Sequence, residues 1–304
     1  MPYDPRIKPD HHQEITNNII ELLDRVNLND YQPPFANLAA LGIPENPITK
    51  NQYQGINILS LWFNQKSKSL PSNKWASFKQ WQQIGASVKK GEKGSRIIFY
   101  KTLIKDDERE TGEAKEVKIP MLRQYVVFNA AQVEGFDDDQ QNKIPEKDNV
   151  ERLSLIDEFC QNTGADIRSE SSEAFYSRLG DYINMPDTSL FLDTHQASAT
   201  ENYYSALLHE LTHWTGGKKR LDRKNDPNRK SMENYAFEEL IAELGSAFLC
   251  AQLALRQTQP KGHALYIKSW LQALRNDKTM IFKASAQAAK STTLLNDLQK
   301  ELVL

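Results

Sequence analysis

The sequence predicts a two-domain α+β protein, with domains over residues 1–133 and 150–304 joined by an acidic linker over 134–149. Three observations predict it. A chain of 304 residues is about twice a typical domain length. Charge is segregated although the net charge is only −2: between 50 and 101 ten basic residues face a single acid, Glu92, whereas 102–149 holds seven bases and twelve acids. Hydrophobic periodicity also changes twice, from helical to β-rich between 95 and 133 and back to helical after 150.

The elements follow in order. A first helix is expected after Asp10 as N-cap, with Ile15, Ile19, Leu22, Leu23 and Val26 on one stripe. Pro33-Pro34, Pro44 and Pro47 then break the chain into turns. Helices are expected over Ile56–Asn64 and over Phe78–Ile84, the second stopped by Gly85. The turn Lys89–Gly94 leads into RIIFYKTLI, and LRQYVVFNAAQV supplies another β-rich run. Between them KDDERETGEAKEVK reads as a charged hairpin loop. The polar stretch Glu134–Asn149 lacks periodicity and reads as the linker.

The second domain opens with a helix over Val150–Asn162, followed by strand-like pieces in ADIRS, AFYS and DYINMP. YYSALLHELTHWTGG reads as a helix ending at Gly216-Gly217. A long helix is expected from Met232 to Leu255 with Ser231 as cap, and the tail after Pro260 reads as helical throughout.

Composition excludes several classes. Apolar residues at 39% can fill cores, so a wholly disordered chain is out. Cys160 and Cys250 lie far apart, which excludes a disulfide scaffold. No run approaches the roughly 18 apolar residues of a membrane span, and MPYDPRIKPDHH has no apolar signal-peptide core. A cytoplasmic protein without a membrane partner is expected.

His209-Glu210-Leu211-Thr212-His213 is an HExxH motif. On a helix both imidazoles share one face and can reach one ion, while Glu210 can accept a proton from a water there. Leu207, Leu208, Leu211 and Trp214 make the other face apolar. A third ligand is expected from the following helix, where Glu239 and Glu243 share a face and Glu238 points elsewhere. Spacing permits either to face the ion, the other accepting a ring N–H from a ligand histidine. The competing interpretation makes these core histidines and surface-paired acids. Two nitrogen donors and one oxygen favour Zn2+, with Mn2+ or another divalent ion also open.

The basic window also holds Tyr53, Trp62, Phe63, Trp75, Phe78, Trp81, Phe99 and Tyr100. Bases interleaved with aromatics suit a single-strand groove, where cations follow phosphates and rings stack on bases. Trp62 and Phe63 are expected in the core. Trp75 and Trp81, among Lys74 and Lys79, are expected as partly exposed platforms. Lys89, Lys90, Lys93 and Arg96 are expected to meet phosphates. A second cluster, Lys218, Lys219, Arg220, Arg223 and Lys224, either compensates a helix C-terminus or extends a DNA track to the metal site.

Residues 50–135, through YQGINILSLWF, the ASFKQWQQIGASVKKGEKG run, IIFYK and YVVFNAAQVEG, resemble the N-terminal domain of ArdC-type plasmid antirestriction proteins, also found at the front of some plasmid primases. Residues 174–250, through AFYS, DYINMP, YYSALLHELTHWTGGKKRLDR and YAFEELIAELGSAFLCA, resemble that family's zincin-like metallopeptidase domain. The resemblance implies a single-stranded-DNA-binding domain fused to a gluzincin-like domain, protecting incoming plasmid DNA from host restriction during conjugation. Double-stranded DNA stays open as a further partner, and a host restriction-enzyme subunit as a protein substrate. It favours Glu239 as the third ligand, with Glu243 behind His209 and Glu210 as general base. Gly217 departs from the family, since many relatives have His there. Tyr176 and Tyr182 both remain open as oxyanion stabilisers. The alternative is a non-enzymatic DNA shield with a structural or vestigial metal site. A nuclease reading is weaker, because two-metal nuclease sites are usually carboxylate-rich.

Overall fold

The computed structural model describes residues 11–26, 34–108, 114–137, 149–194, 197–225, 227, 229–258 and 266–300. The chain forms two compact units. One contains the described residues of 1–43, 54–59 and 142–304, and the other those of 44–53 and 60–141. Residues 11–26 and 34–43 therefore cluster with the C-terminal half, not with the expected 1–133 module. The reason is α1 (His11–Asp24). Its stripe of Ile15, Ile19 and Leu23 is buried, Thr16 Oγ1 donates to the Lys278 carbonyl at 2.9 Å, and Arg275 pairs with Asp24 at 3.0 Å. Asp10 and most of the expected linker, residues 138–148, lie outside the described residues. A short α2 (Ala36–Ala39) follows.

The smaller unit holds most of α3 (Ile56–Ser67), then β1 (Trp75–Ser77), α4 (Phe78–Gln83), β2 (Ser87–Val88), β3 (Ser95–Glu108), β4 (Ala114–Asn129) and β5 (Val133–Glu134). A Ser77–Gln80 capping box starts α4, and Gly85 at φ +81° follows its end as expected. The antiparallel sheet has the order β1-β4-β3, with Trp75 opposite Asn129. β3 and β4 pair from Ser95↔Val127 to Glu108↔Ala114. This corrects the expected charged loop: residues 105–108 and 114–118 belong to the strands, because the ladder is made by backbone groups that every residue carries.

Trp75 and Trp81 are both completely buried. Trp75 packs with Tyr53, Leu61, Ile97 and Val127, whereas Trp81 packs with Ala76, Ala86, Ala130 and Val133. Trp81 Nε1 also donates to the Phe128 carbonyl at 3.0 Å. The expected exposed platforms are thus core residues. Trp75 lies in β1 opposite the buried Asn129, and Trp81 lies on the inward face of a one-and-a-half-turn helix. Trp62 is buried as expected.

In the larger unit, α5 (Asn149–Gln161) is followed by β6 (Asp166–Arg168), β7 (Phe175–Ser177) and β8 (Tyr182–Asn184), ordered β6-β8-β7 with β7 at the edge. Helices α6 (Ala199–Thr215), α7 (Ser231–Gln252), α8 (Ile267–Asn276) and α9 (Met280–Lys300) complete it. Lys230, not Ser231, is the N-cap of α7, its N–H held by Glu233 at 3.2 Å. Among the described residues after Pro260 the tail is not helical throughout: at Asp277 the chain leaves helical geometry, and its carboxylate accepts from Thr279 N–H and Oγ1. The core joins Ile156, Ile183, Leu207, Leu208, Leu211, Leu249 and Leu295.

Candidate metal centre

The Ser198–Glu201 capping box starts α6. Burial of Leu207, Leu208 and Leu211 then fixes its rotation, turning His209 and His213 to the opposite side. Helix α7 packs across that side. Gly245 makes the close crossing possible, because a Cβ there would lie 2.7 Å from Thr212 Oγ1. The crossing brings Glu239 onto both imidazoles.

His209 Nε2 and His213 Nε2 are 3.2 Å apart, and Glu239 lies 3.6 Å from the first and 3.4 Å from the second. Two ligands bound at about 2.0–2.1 Å to a tetrahedral ion lie about 3.3–3.4 Å apart. The three side chains therefore stand at ligand spacing, and among the described residues they form one metal-capable cluster. His209 and Glu239 are buried, which suits a dry cation site. Glu210 is also buried and faces the same cleft.

The electrostatics agree. Burial opposes protonation of His213, but the carboxylates of Glu239 and Glu238 outweigh it and hold its pKa well above the usual imidazole value. Burial would raise the pKa of Glu239, yet His213 and His209 hold it far below the carboxylate range. A field that favours a proton between these groups also favours a divalent cation.

Sequence reasoning placed Glu238 elsewhere and Glu243 behind a ligand histidine. Here Glu238 Oε1 meets His213 Nδ1 at 3.3 Å, while the buried Glu243 Oε2 accepts from Gln257 Nε2 at 3.1 Å. Arg223 secures Glu238. Its guanidinium donates to Glu238, to Thr215 Oγ1 and Ser291 Oγ at 2.8 and 2.9 Å, and to the Thr212 carbonyl at 2.8 Å. Burial favours the neutral Glu238 carboxyl, but His213 and Arg223 bring its pKa down to about 2. Arg223 belongs to the basic run expected either to compensate a helix C-terminus or to extend a DNA track, and its bond to the Thr212 carbonyl in the last turn of α6 fits the first; nothing local marked it as buried.

The cleft over these residues has a volume of about 910 Å3, with Phe175 and Tyr176 of edge strand β7 on one wall and Tyr235 and Tyr266 on another. Asn184 braces the first wall by donating to the Glu173 carbonyl at 2.6 Å. Of the two open tyrosines only Tyr176 lines the cleft; Tyr182 packs on Phe175 and under Arg168. Tyr176 is itself engaged, donating to Asp181 at 2.9 Å and accepting from Arg220 at 3.1 Å. Tyr235, one helical turn before Glu239, was missed, although its i−4 spacing was a usable signal; its hydroxyl accepts from Tyr266 at 3.2 Å.

The expected DNA contacts divide. Lys79, Lys89, Lys90, Lys93 and Arg96 are exposed, with Lys89 Nζ also donating to the Ala131 carbonyl at 2.9 Å. Lys74 is largely covered and pairs with Glu45 at 2.7 Å. Lys218 and Lys219 are exposed. Arg220 is withdrawn from any such track: it pairs with Asp181, donates to the Trp214 carbonyl at 2.6 Å, and stacks 3.8 Å from the Trp214 ring. Gly217 leaves the space for that arrangement, since a Cβ would come 2.7 Å from Tyr176 Oη.

Two family models match the chain. Residues 9–128 match the N-terminal domain of anti-restriction factor ArdC, and residues 154–287 match a zincin-like metallopeptidase. The y4eC protein of Sinorhizobium fredii is 35% identical over 302 residues, covering 98% of this chain and 95% of its own length. A DNA primase TraC of Escherichia coli is 34% identical over 93% of this chain, which spans only 27% of the primase. The metal-free crystal structure of antirestriction protein ArdC from plasmid R388 superposes with a TM-score of 0.75 at 37% identity, covering 96% of this chain and 99% of that one. Its Mn(II)-bound structure gives 0.74 at 36% identity, over 97% and 100%.

Proposed function

Since the chain belongs to the ArdC antirestriction family, we propose that it protects incoming plasmid DNA from host restriction during conjugation, by binding single-stranded DNA and by zinc-dependent peptidase chemistry at His209, His213 and Glu239. The observation that carries the catalytic half is the triangle of three ligand atoms at 3.2–3.6 Å with Glu210 beside it. A purely structural ion has no use for Glu210 or for an open cleft. Two imidazoles and a carboxylate suit zinc, and manganese is the alternative that the relative's Mn(II)-bound structure supports.

When bound, the ion supplies Lewis acidity toward a carbonyl and toward water. The chain does the rest. Glu210 takes a proton from the attacking water and returns it to the leaving amine. Edge strand β7 offers backbone groups to an extended peptide. Tyr235 stands on the Glu239 side of the cleft as the hydrogen-bond donor to developing negative charge. Lys79, Lys89, Lys90, Lys93 and Arg96 support sequence-tolerant phosphate contacts. No helix among the described residues is long and apolar enough to cross a membrane, and the cytoplasm is the proposed place of action.

The test is Glu210→Gln, with metal content and DNA affinity measured alongside protection of transferred DNA and cleavage of restriction-enzyme subunits. Loss of protection with metal and DNA binding retained supports chemistry. Unchanged protection makes the protein a DNA-binding shield.

A further inference from the structure

Trp75 and Trp81 lie in the core, so base stacking in the basic unit needs other rings. We propose that Phe99 and Tyr125, side by side on one face of the β3–β4 ribbon, form the stacking platform for single-stranded DNA. The inference rests on the single-strand reading above and names the surface that performs it.

Register places the pair. Ser95 is opposite Val127, Ile97 opposite Tyr125 and Phe99 opposite Arg123, so these six residues share one face of the ribbon. At the root of the ribbon that face is core: Ser95, Ile97 and Val127 are 2–3% exposed. One step further out it emerges, with Phe99 at 49% and Tyr125 at 44% exposure. The two rings meet edge to face, with centroids 5.4 Å apart at 85°. Each ring limits the other's rotation, so the platform is ordered before a ligand arrives.

Charge selects the occupant and its position. The turn directly before β3 carries exposed Lys89, Lys90 and Lys93, and Lys68 at the end of α3 reaches that turn by donating to the Lys93 carbonyl at 2.8 Å. The root of the ribbon is therefore positive. A polyanion is attracted to the root, and Phe99 and Tyr125 form an exposed ring pair one step out from it. A single strand can place bases on these rings, whereas a duplex keeps its bases stacked inside and offers phosphates.

The experiment uses the full chain and fluorescence anisotropy with two labelled probes of equal phosphate number, oligo-dT and an abasic strand. Wild-type protein should prefer oligo-dT. Phe99→Ala/Tyr125→Ala should weaken oligo-dT binding at least about fivefold, leave the abasic probe unchanged, and preserve the salt slope. The ring-keeping swap Phe99→Tyr/Tyr125→Phe should retain the preference. Undiminished oligo-dT binding in the double alanine variant, or an equal loss on both probes, overturns the platform while the single-strand reading stands. Absence of binding by the wild type sinks that reading itself. Loss of self-association in the double variant, with oligo-dT affinity intact, would instead make this face a contact between copies of the chain and also overturn the proposal.

Discussion

Glu238 Oε1 lies 3.3 Å from Nδ1 of His213, on the other side of the ring from the Nε2 that faces Glu239 at 3.4 Å. Two consecutive acids of α7 thus bracket one imidazole of α6. Neighbouring side chains on a helix diverge by about 100°, so the bracket requires the ring to point between them. Arg223, its guanidinium bonded to both the α6 C-terminus and Glu238, keeps it there. An imidazole that binds a metal through Nε2 donates its other N–H, and Glu238 is placed to accept it.

Glu238→Gln should accordingly weaken metal binding about 10–100-fold. Competition against a chromogenic chelator measures this directly. An affinity equal to wild type would remove Glu238 from any role in holding His213.

Glu239→Ala should abolish tight metal binding, because it removes one corner of the ligand triangle. The unfolding temperature offers a second readout: metal at 100 times its Kd stabilises a binding-competent chain by about 2.7 kcal/mol, and this variant should show none of that shift. Glu243→Ala should weaken binding less and lower basal stability, since the buried Glu243 accepts from Gln257 Nε2 at 3.1 Å.

Gly245→Ala tests the helix crossing. In a helix interior, alanine normally exceeds glycine by about 1 kcal/mol. Here the added methyl meets Thr212, so the variant should melt below wild type and bind metal less tightly. A higher melting temperature would show that α6 and α7 can part without cost.

Asp181 supplies an acid-limb prediction. Hydrogen bonding from Arg220, with smaller help from Tyr176, lowers its pKa to about 2 from the ordinary 3.8. A depressed folded-state pKa means stabilisation that is present above about 4 and lost as pH falls toward 2. After allowance for solvent screening the contribution is about 1 kcal/mol. Asp181→Asn should remove this part of the pH dependence in denaturant titrations between pH 5 and 2.

Trp75→Ala should cost about 3–5 kcal/mol of stability, because the ring is fully enclosed. Any fall in DNA affinity should follow the unfolded fraction. A folded variant with a selective loss of base-dependent binding would contradict the core placement.

Much of the outline was legible from residue patterns. Short strands around Ile167, Tyr176 and Ile183, the HExxH helix, and the long acidic helix after it all carry local signals, and each forms where expected. Hydrophobic periodicity at Leu207, Leu208 and Leu211 even fixed which face His209 and His213 would use. Less legible were partners. Glu238 looked like a surface acid because its neighbours on α7 gave no hint of Arg223, fifteen residues earlier and across a loop. Trp75 and Trp81 looked exposed because lysines flank them in sequence, yet β1 and α4 turn both rings inward, while Lys79 is exposed and Lys74 pairs with Glu45.

By itself, then, the sequence determined what repeats at short range: helix faces, caps, the i, i+4 pair of histidines, and a basic segment beside an acidic one. Those features depend on backbone periodicity, which neighbouring residues set. Tertiary structure decided which acid stands against both imidazoles, which one meets Nδ1 of His213, where α1 docks and which rings are exposed. Each of those depends on the relative placement of elements far apart in the chain. That placement follows from whole-core packing, such as the close approach of Gly245 to Thr212, and no local pattern encodes it.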